Sequence, residues 1–264
     1  MPNCVTNQIT FGKEEKDLAE FQRMAESLRM DGEYLGTIDF NKLKPMPAEL
    51  NIIAGSKTER GLKNYRKYLA ESAAISKMQP KVSDNERSDA EKEHCHKWEK
   101  IKEEDPESWS LGEKAYQNIR KYGCPTWYEW CIQNWGTKWN AFNCVSLDDK
   151  SSTMQFDTAW GDVRELVKMI SEKYPKQKIH YRWADEDIGS NVGEIYFYDG
   201  QPTVTNIPET QSRAAYELSA EILGVDLAEY NLYLSEDKSN YQYMPDGPVK
   251  PKTQCKNKSG REER

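Results

Sequence analysis

The sequence predicts an α+β fold, a ferredoxin-like antiparallel sheet with helices on one face, and three observations carry that reading. Val5, Asn7, Ile9 and Phe11 alternate with Thr6, Gln8 and Thr10, the period-two pattern of a half-buried strand. Helical stripes recur at Leu18, Phe21, Met24, Ala25 and Leu28, and again at Val163, Leu166, Val167, Ile170 and Tyr174. With a long helical stretch at about 57–122 set aside, the remaining order is strand, helix, strand, strand, helix, strand, strand, close to a β-α-β-β-α-β unit.

Taken in order, the first strand and helix are followed by Leu35–Phe40, which reads as a short strand or extended segment. Lys44-Pro45-Met46-Pro47 breaks any regular element there. Residues 57–78 read as a helix. Residues 80–107 hold ten acidic and six basic residues and read as a solvated helix or flexible excursion. Leu111, Ala115, Ile119 and Tyr122 restore a helical stripe, and Gly123 stops it.

Thr126 and Glu129 form a T-x-x-E capping box that starts a short helix at Trp127. Trp127, Trp130, Cys131 and Trp135 share one face of it, and Gly136 ends it. A strand is expected from Lys138 to Leu147 and another over Thr153–Trp160, with Met154, Phe156 and Trp160 on one face. Asp162 and Glu165 resemble the cap of the next helix, which ends at Pro175. Ile179, Tyr181 and Trp183 mark a strand whose hairpin partner is Val192–Tyr198. Glu209–Leu223 is a further amphipathic helix, stopped by Gly224.

The expected division is a ferredoxin-like core over 1–200 with its insertion at about 57–122, a C-terminal helical extension over 201–240, and a disordered basic tail over 241–264. From Pro248 on the tail carries six Lys or Arg against two Glu.

The chain has 264 residues, 31% of them charged, and a net charge of −7. That balance argues against a general nucleic-acid coat but leaves room for a local basic groove. No apolar run reaches the roughly 18–20 residues of a membrane span, and the N-terminus reads as a strand rather than a signal peptide. A cytoplasmic protein of a bacterial host is the expectation, with its six cysteines reduced. They form no CxxC pair. Neither G-x-x-x-x-G-K-[ST] nor G-x-G-x-x-G occurs, so no cofactor is implied.

Several longer segments resemble one family. The opening Met1–Phe11 looks like its start, although Cys4 stands where a Trp is usual. Asp39–Pro47 looks like its FDFNKIIPMP segment. The most specific match runs through Tyr122-Gly123, Trp127-Tyr128-Glu129-Trp130-Cys131 and Asn134-Trp135-Gly136-Thr137-Lys138-Trp139-Asn140-Ala141, and ends at Phe156-Asp157-Thr158-Ala159-Trp160. Over roughly residues 1–200 the chain is similar to the YubB-type ferredoxin-like domain family of conjugative plasmids, integrated elements and prophages. The resemblance implies a fold and a genetic setting, not a reaction. At Gly161-Asp162 the sequence departs from the Ser-Pro-Pro frequent in the family.

Five constellations invite a functional reading. The tryptophan segment offers stacking platforms, with Lys138 and Trp139 at its exit, although core packing of a short helix is the favoured account of Trp127, Trp130 and Trp135. The polar side of the sheet should present Thr6, Gln8, Thr10, Gln155, Asp157, His180, Arg182, Glu194, Tyr196 and Tyr198, a surface of the kind used by RNA-recognition modules. The diagnostic aromatic-glycine motif of those modules is missing, so a solvated or insertion-covered face is favoured. Asp157, His180 and Asp185 are the acid/base candidates, without a nucleophile beside them. His94-Cys95-His96 and Asp185-Glu186-Asp187 hold metal-capable groups, but neither has a chelating pattern.

The sequence therefore predicts a non-enzymatic accessory protein of a phage or mobile element, with no metal and no cofactor. It would bind a host or element-encoded protein, in one version to counter host defence. Nucleic-acid or nucleotide binding through the polar sheet face is the alternative. Lys138, Trp139, Asp157, His180, Arg182, Tyr196 and Tyr198 are the candidate contact residues.

Overall fold

The chain begins with the strand its alternation demands. Cys4–Thr10 forms β1, with Val5, Asn7 and Ile9 buried and the residues between them facing the other way. The structure is a computed structural model and describes residues 3–78 and 89–245. Helix α1 is Glu15–Leu28, and the predicted stripe buries Phe21, Met24, Ala25 and Leu28. Leu35–Phe40 gives only an isolated bridge between Leu35 and Thr37, followed by a 3-10 turn over Phe40–Lys42.

The insertion consists of α2 (Ser56–Met78), α3 (Asp89–Glu104) and α4 (Pro106–Tyr122). Asp105 caps α4 through Ser108 N, and Gly123 ends it in the left-handed conformation. α2 and α4 run parallel and touch at two glycines. A Cβ on Gly61 would stand 1.8 Å from Ser108 O, and one on Gly112 would stand 2.1 Å from the Gly61 carbonyl carbon.

Helix α5 is Trp127–Trp135, capped as expected at Thr126. The cap is a variant of the box: Tyr128 N donates to Thr126 Oγ1, which in turn donates to Glu129 Oε2 at 2.5 Å. Strand β2 is Thr153–Ala159, α6 is Arg164–Lys173, β3 is Lys178–Asp185 and β4 is Gly193–Tyr198. Val163 caps α6 without a side-chain bond, while Asp162 receives Arg164 N at 3.0 Å.

The sheet order is β2-β1-β3-β4-β5, antiparallel throughout. Residues 142–147 add a degenerate edge beside β2. Phe142 and Asp157 exchange both backbone hydrogen bonds, and Val145 N donates to Gln155 O. The expected strand over Lys138–Leu147 is thus reduced to these contacts. Asn143, with φ of 47°, sits in an extra residue that breaks the ladder, the geometry of a bulge. Counting this edge, β1, α1, the edge, β2, α6 and β3 follow the βαββαβ order, with β1 between β2 and β3. The ferredoxin-like α+β fold is therefore present, with its second strand worn down.

The inward face carries the core. Tyr181, Trp183, Phe156, Phe21 and Phe40 are fully buried, and α1, α5 and α6 cover them. Each such side chain contributes about 1.5–3 kcal/mol. The buried Asn7 is matched by polar partners: it accepts from Tyr181 Oη at 2.6 Å and donates to Thr158 Oγ1 at 2.8 Å, while Tyr181 Oη accepts from Val163 N.

Two regions differ from the sequence reading. Residues Gln201–Asn206, expected within a helical extension, form strand β5 at the sheet edge. α7 (Arg213–Leu223) then packs on the second face of the sheet, burying Ala184, Val192, Ala215 and Ile222 together. A small hairpin follows, β6 (Leu232–Leu234) with β7 (Tyr241–Tyr243), so the first residues of the expected tail are ordered in a ladder. The remainder, 246–264, lies outside the described residues, as do 80–88 of the expected excursion. No helix among the described residues is long and apolar enough to cross a membrane.

Candidate functional site

The joint between α5 and β2 is fixed by backbone contact. Gly136 ends α5 at φ 82°, and its N–H bonds Ile132 O. A Cβ there would stand 2.6 Å from Asp162 O, and a Cβ on Gly161 would stand 2.4 Å from Gly136 O. Only glycines allow the two loops to meet this closely. Thr137 bolts the joint: its Oγ1 accepts from Ala159 N at 3.0 Å and donates to Ala159 O at 2.9 Å.

This contact brings Lys138 and Trp139 beside Trp160. The sequence reading put Trp160 on the inward face of the second strand, with Met154 and Phe156. Instead Trp160 leaves the strand at φ 70°, and its ring is 44% exposed. A bulky side chain in the left-handed region costs about 1–2 kcal/mol. Trp160 N donates to Asn3 O at 2.9 Å, and Asn191 Nδ2 reaches Trp160 O at 3.4 Å. The surrounding chain thus holds a strained residue that presents its ring to solvent.

Lys138 Nζ lies 4.6 Å from the Trp139 ring centre, 4.9 Å from that of Trp160 and 5.8 Å from that of Tyr128. Trp139 is 37% exposed. Tyr128 and Trp160 stand perpendicular at 6.3 Å, and Trp127 meets Tyr128 edge-on at 5.9 Å. Among the described residues no carboxylate pairs with Lys138. Its ammonium is held by ring faces alone, an arrangement worth about 0.5–1 kcal/mol per exposed contact. The result is an aromatic surface with one fixed positive charge. Trp130 and Trp135, from the same segment, are buried and meet edge-on at 5.5 Å; Trp135 packs on Phe40, and its Nε1 donates to Lys44 O.

The polar sheet face has the predicted members, laced to one another. Thr6 donates to Asp157 at 2.9 Å, Gln8 donates to Gln155 at 2.9 Å, and the Thr10 and Thr153 hydroxyls meet at 2.9 Å. Arg182 donates to Gln8 at 2.8 Å and pairs with Glu221 on α7 at 2.5 Å. The cover over this part of the face is therefore the C-terminal helix, not the insertion. His180 stacks on Tyr196 at 4.0 Å and meets Glu194 at 2.7 Å. Burial holds the His180 imidazole below its usual value, against the upward pull of Glu194. Burial raises Glu194, but bonds from Asn206 and His180 more than offset this and leave it low. Tyr198 is half exposed.

Asp157 pairs across to Thr6 and His180 to Thr10. Two strands and four residues separate them, roughly 16 Å on sheet spacings, so they form no dyad. Asp185 is buried and spent on Asn3 Nδ2 and Asp187 N. His94 stacks on Tyr68, and among the described residues no group of three His, Cys, Asp or Glu is placed to hold a metal ion. Cys131 is buried, which pushes its thiol up to about 11.

The structure thus joins Lys138 and Trp139 in one place and leaves the other five predicted residues on the sheet, where His180 and Tyr196 stack and Asp157 lies two strands away from them. It adds Tyr128 and Trp160, which the sequence reading left out. The signal that could have found Trp160 was the pair Gly136 and Gly161.

Residues 134–226 match the model of a family described as "Ferredoxin-like domain in Api92-like protein". The matched stretch includes Lys138, Trp139 and Trp160 and ends beyond α7. One similar solved structure is the protein api92 from Yersinia pseudotuberculosis, at 10% identity, covering 79% of this chain and 99% of that one, with a TM-score of 0.33. No curated protein matches the chain.

Proposed function

We propose that this chain is a binding protein without catalytic activity, which engages a protein partner through Tyr128, Trp139 and Trp160 around Lys138. The observation that carries the reading is Trp160, held at φ 70° with its ring in solvent. Exposed Trp and Tyr beside a fixed cation are the side chains that dominate protein interfaces. The resemblance to a family of plasmids and prophages supports a setting in a mobile element inside a bacterial cell, with a host or element-encoded partner. Interference with a host defence protein is one form such binding takes.

Binding of nucleic acid through the polar sheet face has less support, because Arg182 is already committed to Gln8 and Glu221. Affinity capture from bacterial lysate with wild-type protein, Trp139→Ala and Trp160→Ala separates the readings. The proposal expects a partner retained at physiological salt by the wild type and lost by both variants. No partner, or one that both variants retain, contradicts it. A salt-dependent shift with single-stranded RNA that Arg182→Ala abolishes would favour the sheet face instead.

A further inference from the structure

The helical insertion contains a second aromatic site, unrelated to the first. Its core is built from rings rather than aliphatic side chains. Tyr65 and Tyr68 on α2, Trp98 on α3 and Trp109 on α4 pack at centre distances of 5.4–6.0 Å. Trp98 and Trp109 are buried, and Trp98 Nε1 donates to Glu71 Oε2 at 2.8 Å. Between the three helices these rings border an open cleft of about 290 Å³. The rest of its lining is Cys95, Glu99, Lys102 and Glu113. Burial, and after it the negative charge of Glu113 close by, raise the Tyr65 hydroxyl above its usual value, so that carboxylate stands beside the ring. Neither Glu99 nor Glu113 forms a salt bridge among the described residues.

We propose that this cleft binds a small organic cation with a methylated ammonium head. Ring faces carry negative quadrupole charge and attract such heads, and methyl groups prefer an aromatic wall to water. Two carboxylates against one lysine give the lining a net negative charge. A cleft of this volume admits a trimethylammonium group with a short tail. Lys97 Nζ stands 4.8 Å from the Trp98 ring centre, but it pairs with Glu71 and is not part of the cleft lining; at the Lys138 surface a lysine with no carboxylate partner among the described residues sits over three rings.

Calorimetric titration of the full chain with choline at constant ionic strength tests the proposal. A neutral arm uses 3,3-dimethylbutanol, in which carbon replaces the charged nitrogen. Saturable choline binding is expected, at least tenfold weaker in Glu113→Gln and unchanged in Trp160→Ala, with little binding of the neutral analogue. Glu113→Gln removes the charge at nearly unchanged side-chain volume, and circular dichroism verifies that the variant is folded. Absence of saturable binding overturns the proposal. Equal binding of the neutral analogue reduces the cleft to an apolar hole, and equal binding by Glu113→Gln places the cation elsewhere; either result also overturns it.

Discussion

Trp160 concentrates the trade between stability and presentation in one residue. Its backbone sits where glycine is at ease and tryptophan is not. Replacement by glycine should therefore leave the melting temperature unchanged or raise stability by about 0.5–1 kcal/mol, while abolishing partner capture. Trp160→Ala keeps a Cβ in the left-handed region and should show no such gain. A thermal melt in which Trp160→Gly loses more than about 1 kcal/mol would mean that the ring is structural. His180 makes a second residue-scale prediction. Its folded imidazole is depressed below 6.5, so the unfolded chain takes up the proton first. The contribution is complete above pH 6.5 and is lost as the pH falls from there through the folded value. Urea midpoints should be flat from pH 8 to 7 and decline below 6.5, and His180→Gln should flatten that decline. A midpoint that climbs on acidification would contradict the assignment. Neither residue's state was legible in the sequence. The strand pattern placed His180 on the correct face, but the depression comes from burial beside Tyr196, and the left-handed turn at Trp160 comes from contacts with Asn3 and Asn191.

Elements were read more reliably than their joints. The stripes at Phe21–Leu28 and Leu166–Ile170, the cap at Thr126 and the stops at Gly123, Gly136 and Gly224 are all local signals, and each is present. The second strand was only half legible, because the bulge at Asn143 is set by pairing with β2 and leaves no mark on periodicity. Strand β5 was missed for a related reason: Gln-Pro-Thr-Val-Thr-Asn is exposed on both faces and shows no apolar alternation. The helix expected over Glu209–Leu223 was found as α7, but nothing in its own sequence says which face of the sheet it will cover. Within the insertion, the parallel crossing of α2 and α4 rests on Gly61 and Gly112. Gly61→Ala drives a methyl into backbone rather than into a mobile side chain. It should cost about 1–3 kcal/mol, despite the better helix propensity of alanine, and should increase proteolysis between α2 and α4. A variant as stable as the wild type, with an unchanged cleavage pattern, would show that the crossing relaxes freely.

At the scale of the molecule, the ferredoxin-like frame divides its two surfaces by occupancy. One face is filled by α1, α5 and α6. The other is laced by side chains and roofed in part by α7. On the proposed reading, the surface offered to a partner is the corner where α5 turns toward β2 and Lys138 meets three rings. That corner was partly legible: Lys138 and Trp139 stand out as the polar exit of a tryptophan-rich segment, whereas Tyr128 and Trp160 join them only through the contact of Gly136 with Gly161. Site-specific photo-crosslinking tests this account most directly. Trp160→p-benzoylphenylalanine and Tyr198→p-benzoylphenylalanine, expressed in bacterial cells and irradiated, report which surface is covered. The account predicts a discrete protein adduct from position 160 and none from position 198; an adduct from 198 alone, or from neither, would contradict it.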